Sequence, residues 1–372
     1  MTSPGLAAPV FTAGCRRLLG MAMLPLLLSS FACVAAVGVD PLREPAMLMD
    51  TQVQAPLVDV TYTGEALLGV GLRGLIQRSE DGGKTWKQVP SPISGDLVSV
   101  RFSDARHGWI AGHDSVLLHT RDGGNSWQVQ LDGRRLLTLL RDWYGRLAKS
   151  GDPDAEAMLR EIDMAMETSA TPDVLASPFL DVLFDSRGNG FVVGAFGMIL
   201  RSRDYGATWE PWVERTPNER RMHLYGLAEH NGVFYASGEQ GLLMRLEPHA
   251  QRFVALDTGY GGTLFGVRAY GGLLLAYGLR GNLFASRDDG QHWQKIETGL
   301  GSSLVGIVER NRQLIVVGQD GRMLVLDSDS LVVTTLQSVQ GGEVYAASYS
   351  GTGRLVMARF SGARLVEIAK AD

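Results

Sequence analysis

"SEDGGKTW", residues 79–86, packs an acid, two glycines, a hydroxyl and a tryptophan into eight positions. An acid beside glycines fits a phosphate or metal loop, whereas a closing tryptophan points to packing. Repetition decides between them. The box returns as "TRDGGNSW" (120–127), "SRDYGATW" (202–209) and "SRDDGQHW" (286–293). Its closing residues Trp86, Trp127, Trp209 and Trp293 stand 41, 82 and 84 residues apart, which makes a unit of about 41 with one copy missing midway between the last two. "RLEPHAQRF" (245–253) fills that place, with Phe253 standing for the tryptophan.

Upstream of each box, two apolar strands flank a glycine-bounded turn, as in "LLGVGLRGLIQRS" (67–79) and "GFVVGAFGMILRS" (190–202). The pattern occurs seven times, ending with "RLVMARFSGARLVEI" (354–368), and a further short strand such as "LVDVTYT" (57–63) precedes each copy. With the segment after the box, each unit reads as four antiparallel strands, A to D, so the fold class is all-β: a seven-bladed β-propeller over residues 46–372. The seventh unit lacks residues for its outer strand. Residues 46–56 are expected to supply it, because "TQVQ" (51–54) resembles the outer strand "WQVQ" (127–130).

The box then has a mechanical reading. A C to D hairpin needs positive φ, which Gly83 and Gly124 allow, and an acid to accept backbone N–H groups across the turn. Asp81, Asp122, Asp204 and Asp288 take that role, while Trp86, Trp127, Trp209 and Trp293 bury apolar area at the start of the outer strand.

Residues 132–177 interrupt the repeat between blades two and three. "RRLLTLLRDWYGRLAKS" puts Leu136, Leu140, Trp143 and Leu147 on one helical face, and Asp152 with Pro153 can start a second helix carrying Met158, Ile162 and Met166. The resulting helical hairpin joins a D strand to the next A strand, a connection on the same face as the B to C turns. That face carries Arg73, His113, Asp114, Phe196, Glu239, Arg280 and Asp320, and the hairpin adds Arg141 and Arg146. Together they form the candidate partner-binding face, on which the hairpin is a lid, a docking element or a stabilising decoration.

The 372 residues carry a formal net charge of −5, too little positive charge for a nucleic-acid footprint. Arg16 and Arg17 before the apolar run ending at Ala35-Ala36 read as a secretory signal over 1–36, followed by a linker over 37–45. Two other readings of this leader stay open: an uncleaved anchor through 18–38 and lipid attachment at Cys33. Both cysteines, Cys15 and Cys33, lie in the leader, which leaves the mature chain no disulfide or thiolate site.

Catalytic motifs are weak. "GVGLRG" (69–74) matches a dinucleotide fingerprint in letters only, since it sits in a strand-to-strand turn. No nucleophile elbow, zincin or P-loop pattern occurs, and the histidines lack ligand spacing. The expectation is no enzyme, no metal and no cofactor, in a monomeric exported protein of the periplasm, or of the thylakoid lumen in a photosynthetic host. The alternative is a glycan-binding or sialidase-like glycoside hydrolase propeller, whose arginine cluster and Tyr-Glu constellation cannot be assigned in this sequence.

The pattern "VG-x-x-G-x-[IL]-x-x-S-x-D-x-G-x-T-W", best at 66–86, 108–127 and 190–209, resembles the photosystem II stability/assembly factor family of seven-bladed propellers. The resemblance implies a non-catalytic exported scaffold that holds a membrane-protein subunit on an arginine-bearing face. Arg73 and Arg280, each within "GLRG", occupy matching turns of blades one and five. The hairpin of 132–177 departs from the family pattern.

Overall fold

The second strand of every unit is an almost unbroken apolar run, which is what a strand covered on both faces requires. In the computed structural model, which describes residues 40–49, 55–310 and 312–368, those runs are the B strands of seven sheets, and nearly every residue in them is buried. Blade 1 comprises Leu57–Tyr62, Leu67–Gly71, Ile76–Ser79 and Lys87–Val89, hydrogen-bonded in that order. Blades 2 to 6 repeat it with A strands at Leu97–Phe102, Phe179–Phe184, Leu224–His230, Leu264–Tyr270 and Leu304–Arg310. Blade 7 has three strands among the described residues: Val344–Tyr349, Leu355–Arg359 and Arg364–Val366.

The ring closes by packing. Leu57, Val60 and Leu67 of blade 1 share a core with Val356 and Ala358 of blade 7. The expected closing strand is not where its first residues point. Residues 46–49 run beside the outer strand of blade 1, where Gln88 bonds Met49 N–H and the Met47 carbonyl and Ala46 N–H donates to Ser91 O. The "TQVQ" segment lies outside the described residues. From Asp40 onward the segment read as a linker is also packed: Leu42 is buried beside Ile93 and Val174, and Asp40 pairs with Arg134 at 2.7 Å. An aspartate and a leucine that both find partners on blade 2 and the hairpin hold it there. The leader of residues 1–36 lies outside the described residues, and among those described no helix is long and apolar enough to cross a membrane.

Every A strand slips its register against the B strand at its second residue. The bulge brings the preceding carbonyl against the last residue of the B strand. A Cβ on Gly71 would lie 2.1 Å from Pro56 O, and one on Gly194 2.1 Å from Pro178 O, so glycine ends these strands for lack of space.

Between blades 2 and 3 stand two helices, α1 (Gly133–Lys149) and α2 (Pro153–Glu167). Asp132 and Asp152 cap them through the N–H groups two and three residues on, and Pro153 opens the second. Leu136, Leu140, Tyr144, Met158 and Ile162 are buried in one cluster with Trp212 and Val213 of blade 3. The hairpin is therefore continuous with the blade core.

Candidate functional site

Antiparallel strand order puts the B to C turns and D to A connections on one face and the boxes on the other. The turns are built alike. Gly71 N–H donates to Leu75 O and Leu75 N–H to Leu72 O, which leaves Arg73 at the tip with φ 55°. Phe196, Gln240 and Arg280 hold the same place at φ 55°, 53° and 56°, each followed by a glycine of positive φ. Asp114 of blade 2 holds it too, at φ 53°, and a non-glycine residue in the left-handed region costs about 1 kcal/mol, so five side chains are kept at strained tips where glycine would be easier.

The face residues expected from sequence divide into two groups. The Arg73 and Arg280 guanidiniums make no hydrogen bond or ion pair among the described residues, and Phe196 is 62% exposed. The others are engaged. Asp320 pairs with Arg322 at 2.7 Å, and Arg141 with Asp163 at 2.9 Å. Arg146 lies over Trp143 at 5.9 Å. Asp114 is half-buried against the hairpin, and burial pushes its carboxyl pKa up. Glu239 folds back, accepting His223 N–H at 2.8 Å and facing its Nδ1 at 3.2 Å, which lowers its pKa; Gln240 occupies the tip instead. Glu239 thereby fixes an aromatic path across the face, from Phe196 to His223 (5.2 Å between ring centres), Tyr225 (6.3 Å) and Phe265 (5.5 Å). The hairpin borders this face: Arg221, from the connection between blades 3 and 4, bonds Glu161 at 3.1 and 3.2 Å, and Ser115 Oγ donates toward Leu175 O and Ser177 O.

The central channel was not foreseen. Its cavity of about 270 Å³ is lined by Asp59, Arg101, Arg268, Tyr277, Glu309 and Tyr349, among others. Asp181 of blade 3 takes Arg101 of blade 2 through both carboxylate oxygens, and also accepts Ser99 Oγ, Val182 N–H and Leu227 N–H. Asp59 accepts Val60 N–H and Val100 N–H, both at 2.8 Å, yet burial pushes its pKa up to about 6. Burial also raises the Tyr277 phenol and lowers the Arg268 guanidinium, which has no hydrogen bond or ion pair among the described residues. The available signal was a polar residue inside otherwise apolar A strands, Asp59 in "LVDVTY", Arg101 in "LVSVRF" and Asp181 in "FLDVLF".

On the opposite face the boxes are consumed by their own turns. Asp81 Oδ1 accepts Lys84 and Thr85 N–H while Oδ2 takes the Thr85 hydroxyl at 2.6 Å, which holds its pKa down at about 2. Asp122 with Ser126 and Asp204 with Thr208 repeat the 2.6 Å bond, and His292 replaces the hydroxyl beside Asp288. Gly83 and Gly124 carry the positive φ expected of them, and Trp127 and Trp209 are buried, with Trp86 and Trp293 half-buried. Among the described residues no group of three His, Cys, Asp or Glu side chains is placed to hold a metal.

Residues 42–136 match the family model described as photosynthesis system II assembly factor YCF48. The photosystem II assembly lipoprotein Ycf48 of Synechococcus sp. (strain CC9902) is 25% identical over 252 residues, 62% of this chain and 72% of that one. The chloroplastic photosystem II stability/assembly factor HCF136 of Oryza sativa subsp. japonica is 37% identical over 172 residues, 38% and 39% of the two chains. Among solved structures, YCF48 bound to D1 peptide superposes with a TM-score of 0.59 at 16% identity, over 88% of this chain and 97% of that one. A chain of the mitotic checkpoint complex reaches 0.60 at 10% identity, over 95% and 100%. The structural likenesses establish the propeller fold, and the sequence matches make the chain similar to the photosystem II assembly factors, by family model over residues 42–136.

Proposed function

We propose that this protein is a non-catalytic, exported scaffold whose B to C turn face holds a segment of a membrane-protein subunit during assembly of its complex. One observation carries the reading: Arg73 and Arg280 stand at strained turn tips with guanidiniums that make no hydrogen bond or ion pair among the described residues, on the same face as the exposed Phe196, whereas the acids and tryptophans of the opposite face are used up within the fold. Strain retained at exposed positions is a mark of function. The relatives named as photosystem II assembly factors, one a lipoprotein and one seen with a D1 peptide, support a membrane-associated setting and a membrane-protein partner. The non-catalytic reading is supported by the relatives, which are named as assembly factors.

Pull-down from solubilised membranes tests the scaffold. Arg73→Glu with Arg280→Glu should reduce recovery of the partner and leave the melting temperature unchanged, because exposed charges contribute little to stability. Equal recovery by wild type and variant would place the functional surface elsewhere.

A further inference from the structure

Blade 7 carries a second, separate feature on the same face. Arg359 ends its B strand with only 4% of its surface exposed, and its guanidinium makes no hydrogen bond or ion pair with any described residue; its Nε is buried without a partner. Burial lowers its pKa, and so does another cation, Arg364. A buried guanidinium left unpaired is among the costliest arrangements a protein can hold. Folded chains keep such groups where a ligand compensates them.

The surroundings leave room for one. Gly341 and Gly342, in the connection from blade 6 to blade 7, have φ of 101° and 106°. A Cβ on Gly341 would lie 3.3 Å from Arg359 Nη2 and 3.7 Å from Arg364 Nη1, so both guanidiniums converge on one bare stretch of backbone. A Cβ on Gly342 would come within 3.2 Å of the same Arg359 nitrogen. Arg364 Nη1 also donates to Gln340 O, which aims it at the corner. The nearby acids do not neutralise it: Glu343 is exposed and pairs with neither arginine, and Glu367 is taken by Arg354 at 2.5 Å.

We propose that Arg359, Arg364 and the Gly341-Gly342 corner form an oxyanion-binding site whose ligand is a carboxylate. Arg364 already spends a donor on Gln340 O, so the buried Arg359 fork is the group left to compensate, and a single negative charge suffices for it. A planar carboxylate also suits the fork that a guanidinium offers. The site does not depend on the scaffold reading, because its response is measured on the isolated protein.

The test is thermal unfolding of the full chain at fixed ionic strength, with chloride replaced stepwise by acetate or by inorganic phosphate. Acetate should raise the wild-type Tm by about 2 °C or more. Arg364→Gln, at an exposed position, should lose most of that rise. Arg359→Met should lose all of it while melting no lower than wild type in chloride, since the substitution removes an uncompensated buried charge. A purely structural arginine would instead lower Tm in chloride and leave the acetate response intact. No acetate response in wild type overturns the site, and a response to phosphate alone overturns the carboxylate. N-acetyl-glutamate amide and N-acetyl-glycylglycine then separate a side-chain carboxylate from a chain end, and a rise with either supports the site.

Discussion

Asp181 grips Arg101 through both carboxylate oxygens, at 2.9 and 3.0 Å, across 80 residues of sequence and the junction of two blades. The same carboxylate accepts Leu227 N–H from blade 4, so one side chain ties three A strands around the channel.

Asp181→Ala should therefore strand the Arg101 charge and leave Ser99 and Leu227 without an acceptor. A loss of about 2–3 kcal/mol is expected, the low side of the range for a broken buried pair because the Arg101 side chain is 41% open to the channel. Denaturant unfolding would read it. An unchanged midpoint would mean that the ring does not depend on this tie.

Asp59 gives the channel a pH dependence. Its folded pKa, about 6, lies above the ordinary carboxyl value because burial outweighs Arg101 and two backbone N–H groups. Its contribution to stability is fully present below about pH 4 and is lost as pH rises through 6. Asp59→Asn should flatten the stability profile between pH 4 and 6 by about 1–3 kcal/mol relative to wild type. Parallel profiles for the two proteins would contradict the assignment.

The boxes titrate in the opposite sense. Asp81 is held at about 2, first by the Thr85 hydroxyl and then by its backbone N–H. Its stabilising effect is present above the ordinary carboxyl range and fades as pH falls through about 2. Thr85→Ala should move the Asp81 carboxyl resonance toward an ordinary titration, and an unmoved midpoint would assign the depression to the backbone alone.

The hairpin should be essential to the blades. Replacing residues 134–175 by a Gly/Ser linker uncovers Trp212 and removes Leu136, Leu140, Tyr144 and Met158 from their shared core. The cost should be at least about 3 kcal/mol, on the scale of losing a large core aromatic. A variant that melts like wild type would return the hairpin to the status of an appendage.

Much of this architecture was readable beforehand because its causes are local. The 41-residue period, the alternation of apolar strands and turns, the acid and glycines of each box and the Asp-Pro start of α2 act within a few residues of where they stand in the chain. The turn face was legible as a place, since strand order alone fixes which connections share it. Which of its side chains are available was not: Glu239 turned inward to His223 and Asp320 to Arg322, and these are choices of rotamer and neighbour.

The sequence by itself determined the seven-bladed ring, the boxes that close its hairpins and the place where the hairpin enters. Only the tertiary structure decided that Arg101 meets Asp181, that Tyr144 covers Trp212's cluster and that Arg359 is buried facing Arg364 and two glycines. The reason is physical. A repeat specifies each blade through contacts made within it, whereas the channel, the hairpin seat and the blade 7 corner arise where side chains far apart in the chain are brought together by closing the ring, and no local period encodes which charges will then face one another.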